Sequence, residues 1–364
     1  MLDAIGQTLG NLLGLRRSTL AVPILDGVYK PNNLLEQAEV LAEHDGMEDM
    51  AVGGDGKIYL ACGAEVMALE DGGALIPVAT FDAPITAMVF LPDGRRVVAL
   101  GDRVEIEGAG APLHEVAGKP LRAVTSLSLG NDGKLLICDA SAQHGCDGWR
   151  HDLMEKGASG RLISHDPDTD ETRVLQTGLA WAYGAWQSGD GGIVVSESWR
   201  HQLHRVGKKT QGDLPGYPAR IVPTADGGFW LSLFAARMQI VKFVLSETDF
   251  RREMMATIPP EYWIAPAYRS GKDFLEPLQT GGVKQMGILK PWAPPRSYGL
   301  AVRFDARQVP VMSMHSRVGG ENHGIVTVIE QGSDVFALSK GAGRLLRLDM
   351  AAIRKANAIG EAEA

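Results

Sequence analysis

The sequence predicts an all-β protein: a six-bladed β-propeller with four antiparallel strands per blade. Three observations predict it. First, an Asp-Gly turn recurs between apolar runs, as GGDGKIYLAC (53–62), LPDGRRVVAL (91–100), GNDGKLLICD (130–139), SGDGGIVVSE (188–197) and TADGGFWLSL (224–233), with a weaker sixth copy in EQGSDVFALS (330–339). Second, the turn aspartates fall at 55, 93, 132, 190 and 226, giving spacings of 38, 39, 58 and 36 residues. A period near 38 built of short strands is a blade repeat. Third, 44 of the 364 residues are Gly, well above the usual ~7%, which suits many tight turns and argues against long helices.

Each element follows from local chemistry. Asp-Gly between apolar runs closes a hairpin because Gly enters positive φ without a Cβ clash. A second hairpin follows in most units, as in EVMALEDGGALIPVA (65–79), RVEIEGAGAPLHEVA (103–117), RLISHDPDTDETRVL (161–175) and LAVRFDARQVPVMSM (300–314). The sixth unit has one late strand, GRLLRLDM (343–350), before the chain ends, and TLAVPILD (19–26) has the missing apolar run. The N-terminal strand is therefore expected to complete the last blade and remove the open edge at the seam. The period breaks twice, at 140–159 in the third blade and within 234–298 in the fifth. Both insertions fall between the second and third strands, hence on one face of the ring, as a plug or a lid over a central pocket. The expected organisation is an amphipathic arm over 1–18, a propeller over 19–350 and a tail over 351–364.

Composition narrows the function. There are 36 basic and 44 acidic residues, for a formal charge of −8, and no basic face for nucleic acid. Three Cys (Cys62, Cys138, Cys146) are too few for a disulfide framework, so a reducing, cytoplasmic setting is expected. No run approaches the ~20 apolar residues of a membrane span, and Arg16 and Arg17 follow the N-terminal apolar stretch rather than preceding it as in a secretory signal. Membrane contact is not expected; self-association is left open. The spacing of Cys138, His144, Cys146 and His151 matches no standard zinc pattern. G-x-S-x-G, Walker, H-E-x-x-H and G-x-G-x-x-G motifs are missing from the sequence.

The segments GRLISHDPDTDETRVLQTGLAWAYG, LPGYPARIVPTADGGFWLSL and LDGVYKPNNLLEQAEVL resemble the strictosidine synthase-like proteins, a group that includes the adipocyte plasma membrane-associated protein and is related to the gluconolactonase and paraoxonase propeller hydrolases. The resemblance covers roughly 19–350 and implies a six-bladed propeller with its site at the mouth of the central channel. It implies no single reaction. In the related hydrolases calcium sits at that mouth on Glu and Asn/Asp ligands. The matching positions here are Glu48, Thr125, Tyr183 and Ala219, with Arg220 beside the last, so only one ligand is kept and no metal or other cofactor is expected. The glutamate of strictosidine synthase falls at Val326 in HGIVTVIE, within a shift of one or two, so alkaloid condensation is not expected.

Glu48, His323 and Tyr183 are the candidate catalytic residues, Glu48 or His323 as a general base. Arg220 is expected to anchor an anion. Asp49, Thr125, Asp139, Trp149, Glu197, Arg237 and Trp263 complete the candidate substrate-binding set, although Asp139 and Glu197 also suit backbone bonding in turns. Three functions remain: a metal-independent, lactonase-like hydrolase of a small ester or lactone; a non-catalytic propeller that binds a ligand or protein; and a lyase or isomerase working by proton transfer.

Overall fold

The computed structural model describes residues 22–208, 212–271, 273–277, 284–285, 288–289 and 296–362. Strand β1 (Glu39–Glu43) stands first in the chain but belongs to the last blade. Blade 1 is β2 (Met47–Val52), β3 (Ile58–Cys62), β4 (Glu65–Leu69) and β5 (Leu75–Thr80). Blade 2 is β6 (Ala87–Phe90), β7 (Arg96–Ala99) and β8 (Val104–Ile106), followed by a two-stranded ribbon, β9 (Glu115–Val116) with β10 (Lys119–Pro120). Blade 3 is β11 (Val124–Leu129), β12 (Leu135–Asp139), β13 (Gly160–His165) and β14 (Thr172–Leu179). Blade 4 is β15 (Ala182–Gln187), β16 (Ile193–Glu197) and β17 (Gln202–Arg205). Blade 5 starts with β18 (Gly216–Pro223) and β19 (Phe229–Ala236); a short ribbon, β20 (Lys284–Gln285) with β21 (Ile288–Leu289), intervenes before β22 (Gly299–Phe304) and β23 (Pro310–Ser316). Blade 6 is β24 (Ile325–Gln331), β25 (Asp334–Ser339), β26 (Arg344–Asp349) and then β1.

The ring is held by what lies between blades. Each sheet packs against a neighbour on both faces, so middle strands are buried without alternation: Leu135–Asp139 and Phe229–Ala235 are covered throughout. Separate apolar clusters fill successive gaps. Ala51, Val66, Met88 and Val98 join blades 1 and 2; Val97, Val124 and Ile137 join 2 and 3; Leu162, Ala185 and Val195 join 3 and 4; Trp186, Phe229 and Leu231 join 4 and 5; Trp230, Val328 and Ala337 join 5 and 6. Hydroxyls add a second stitch between blades: Thr86 Oγ1 donates to Val124 O (2.6 Å), Thr125 Oγ1 to Ala182 O (2.6 Å) and Ser196 Oγ to Ala219 O (2.7 Å).

An N-terminal strand does close the last blade, but residues 19–26 are not that strand. The described residues 22–26 form no strand, residues 19–21 lie outside the described residues, and β1 pairs antiparallel with β26 instead. The pairing carries charge complementarity along the edge. Glu39 faces Arg347 and Glu43 faces Arg344 across the ladder, each at 2.6 Å. A mostly exposed edge held by charge pairs does not stand out as an apolar run, whereas 19–26 does.

The expected hairpin at 103–117 is reduced to β8 with a single bridge from Val104 to Leu113. The arm over 1–18 lies outside the described residues. The C-terminal segment forms a helix, Met350–Ala362, which buries Ile353 and bonds Ser313 of β23 through Asn357. No helix among the described residues is long and apolar enough to cross a membrane.

Candidate functional site at the channel mouth

Five of the six inner strands share one irregularity. The ladder register shifts between Met47 and Asp49, Val124 and Ser126, Ala182 and Gly184, Gly216 and Pro218, and Ile325 and Thr327. A bulge leaves one residue unpaired and re-aims it. The residues so released are Glu48, Thr125, Tyr183, Tyr217 and Val326, one from each of five blades. Repeat register thus brings Glu48 and Tyr183 to equivalent places on the ring, while Val326 supplies only a buried apolar side chain.

A second shift in β18, between Pro218 and Ile221, frees Arg220. Gly184 makes room for it, because a Cβ there would stand 2.8 Å from the Arg220 Cα and 2.6 Å from the Ile221 N. The Arg220 guanidinium then bridges three blades. Nη1 donates to Glu48 O at 3.0 Å, Nη2 donates to Thr86 O at 2.6 Å, and Nε lies 3.2 Å from Asp49 Oδ2. Asp49 is buried and fully used: it also accepts from Met50 N (2.9 Å), Met88 N (3.0 Å) and Thr327 Oγ1 (2.8 Å). The pair is a knot tying blades 1, 2, 5 and 6.

Glu48 sits beside this knot and keeps some exposure, 19% of its side chain. Its Oε1 is 3.6 Å from Arg220 Nη2 and its Oε2 pairs with Lys340 Nζ. Burial alone would depress the Lys340 pKa, but the Glu48 carboxylate outweighs it and the pKa lies above the ordinary value. Lys340 also lies 4.6 Å above the Tyr268 ring, and Tyr268 Oη meets Tyr183 Oη at 3.0 Å. Burial pushes both phenols up, so both stay neutral.

Both insertions cover this mouth, between the second and third strands of blades 3 and 5 as expected. The blade-3 insertion carries the helix Trp149–Glu155, and the blade-5 insertion carries the helices Gln239–Ser246 and Thr248–Thr257. Trp149 meets Tyr268 and Phe234 edge-on at 5.5 and 5.8 Å. Trp263 is buried inside the lid, donating to Ile258 O at 2.8 Å and touching His151 at 4.7 Å. Asp152 moors the first insertion to the body, accepting from Trp199 Nε1 (2.7 Å) and Ser141 Oγ (2.6 Å). The second is moored at blade 6. The Tyr268 carbonyl lies where a Cβ on Gly341 or Gly324 would stand, at 2.0 and 2.9 Å.

The remaining candidates are held by the chain's own partners. Thr125 Oγ1 reaches backbone carbonyls only, Ala182 O and Cys138 O. Asp139 takes Arg161 (2.6 Å) and the amides of Arg122 and Ala123. Glu197 takes Arg200 (2.5 Å), Gln202 and the Ala180 amide. Arg237 pairs with Asp213 at 2.7 Å. His323 is buried with both nitrogens used: Nδ1 against Ser297 Oγ (2.7 Å) and Nε2 against Arg317 O (3.0 Å). Arg220, expected to anchor an anion, has its guanidinium committed to Asp49, Glu48 and two carbonyls. Sequence reasoning missed Lys340 and Tyr268. Lys340 stands one residue past the last ladder pair of β25, Ser339 with Ile325, as Ala140 follows Asp139 and Ser198 follows Glu197; only the strand register reveals it. Tyr268 lies in an insertion without a repeat.

This arrangement defines a class: a six-bladed propeller with a lidded, charged channel mouth. Two family models match the chain, strictosidine synthase over residues 126–209 and the N-terminal strictosidine synthase-like region over 27–63. Over those residues the chain is similar to the strictosidine synthase-like proteins. It is 27% identical over 254 residues to the adipocyte plasma membrane-associated protein of Salmo salar, covering 59% of this chain and 60% of that relative. Among solved structures it resembles a gluconolactonase of Xanthomonas campestris (TM-score 0.53, 14% identity, 85% of this chain and 88% of that one). It also resembles a calcium-binding regucalcin of Agrobacterium tumefaciens (TM-score 0.52, 13% identity, 85% and 92%). At such identities these structures establish the fold.

The residues present do not fit a calcium ion at the mouth. A hard cation takes six or more oxygens; here Glu48 is flanked by two cations, and Ala219 brings no donor. Among the described residues no group of three or more His, Cys, Asp and Glu gathers as a metal site anywhere. His144 pairs with Glu155 at 2.7 Å and Cys138 is buried within β12.

Proposed function

We propose that the protein is a metal-independent hydrolase of a small ester or lactone, acting at the lidded mouth. The observation that carries this reading is Glu48, a partly exposed carboxylate set between two cations and beside two neutral phenols. In this reading a water attacks the substrate carbonyl and Glu48 takes its proton. The C–O bond to water forms, the negative charge on the carbonyl oxygen develops beside Lys340, and the ester C–O bond breaks. Glu48 then returns the proton to the leaving alkoxide. The phenols of Tyr183 and Tyr268 donate hydrogen bonds, and the Asp49–Arg220 knot fixes the strand that carries Glu48. Preorganised charge of this kind is a large share of catalysis in many enzymes.

The test is a screen of lactones and aryl esters in the presence of a chelator, with Glu48→Gln assayed on any hit. Turnover should fall by roughly two to four powers of ten, the scale of a lost general base, with the melting transition unchanged. A second reading, a binding propeller without turnover, is favoured by the pairing of both Glu48 oxygens. A wide screen without turnover, together with ligand affinity altered by Glu48→Gln, would select it.

A further inference from the structure

The lid carries a cation with an enclosed, unbonded nitrogen. Arg150 follows Trp149 on the helix Trp149–Glu155 and lays its guanidinium over the Trp149 ring at 4.6 Å. Its Nε is enclosed and has no hydrogen-bond partner, and no carboxylate or carbonyl among the described residues is bonded to the group. A second arginine, Arg296, is buried nearby. It donates to Ala265 O (3.0 Å) and Glu261 O (2.8 Å), but its nearest carboxylate, Glu276, is 4.0 Å away. The two guanidinium groups feel each other's charge, and burial with that repulsion holds the pKa of Arg296 down at about 10. Lys340 stands 4.6 Å from the centre of the Tyr268 ring. A chain of net charge −8 thus gathers Arg150, Arg296, Arg220 and Lys340 around one mouth.

Glu261 and Glu276 lend these arginines some opposite charge, but an enclosed donor without a partner is costly, and a second cation beside it adds to the cost. An anion brought by a ligand would remove that cost. Trp149 and Tyr268, in edge contact at 5.5 Å, give it an apolar wall. We propose that Arg150, backed by Arg296, binds the carboxylate or phosphate of a small organic anion whose apolar body rests on Trp149 and Tyr268. This rests on the reading of the mouth as a small-molecule site and names its substrate class. It assigns to Arg150 the anchoring role that the sequence had suggested for Arg220.

Binding is read without turnover, by titration calorimetry at low salt with benzoate, phenyl phosphate and neutral benzamide. The wild type should bind at least one anion saturably and benzamide much more weakly. Arg150→Gln should weaken anion binding about ten- to hundredfold, the worth of a charge-assisted hydrogen bond, while Arg150→Lys keeps most of it. Arg95→Gln, which removes one charge from the exposed blade-2 turn, should change nothing. Glu48→Gln should still bind, so failure of the hydrolase reading leaves this one standing. Absence of anion binding in the wild type would overturn the proposal. So would equal affinities for Arg150→Gln and Arg95→Gln. If Arg150→Gln melts early, Arg150→Met, which keeps the apolar stem over Trp149, replaces it.

Discussion

Asp49 and Glu48 are neighbours in sequence with opposite fates, and burial separates them. Asp49 and Arg220 are 3% and 4% exposed at the side chain, whereas Glu48 and Lys340 are 19% and 28% exposed. Removing one partner of a buried pair strands the other charge, at about 3–5 kcal/mol. Opening a partly hydrated pair costs about 1 kcal/mol or less. Arg220→Leu should therefore lower the unfolding free energy by about 3–5 kcal/mol in urea titrations, and Lys340→Met by no more than about 1 kcal/mol. Equal losses would contradict the division into a buried knot and a partly hydrated pair. Glu48, Tyr183 and Arg220 were legible in the sequence through the family resemblance, whose ligand positions fall at the first two and beside the third. His323 was equally visible, but a sequence does not show that Ser297 and Arg317 take both its nitrogens.

At the scale of elements, the turns were the most legible feature. Asp-Gly carries its own geometry, so every unit marked by it became a hairpin at the expected place, and both insertions fell between the second and third strands. The closing strand was not legible. β1 is identified by pairing with β26, some 300 residues away, through Glu39–Arg347 and Glu43–Arg344, and such complementarity has no local period. Truncation separates the two accounts. Deletion through Asp26 should leave the melting temperature within about 3 °C, and deletion through Glu43, which bares β26, should lower it by about 8 °C or more. The reverse order would restore 19–26 as the closing strand.

The whole ring depends on blade interfaces that hold groups neutral. His201 donates to Gly216 O, and His315 lies between Tyr298 Oη and Ser313 Oγ; burial pushes each down to about 3. Because the folded pKa lies below the unfolded value near 6.5, the stability these histidines give is present above pH ~6.5 and is lost as pH falls toward 3. Each should cost about 1.4 kcal/mol per pH unit within that window. Stability measured between pH 7 and 4 should fall accordingly, and His315→Gln should flatten the slope. At the mouth the charges are the chain's own, Arg220 and Lys340 beside Glu48, in a fold shared with a calcium-binding protein. A ligand that binds only the native state raises its melting temperature, so calorimetric unfolding of chelator-treated protein with and without millimolar calcium tests the claim directly. The two transitions should coincide. A reproducible rise with calcium, abolished by Glu48→Gln, would contradict it.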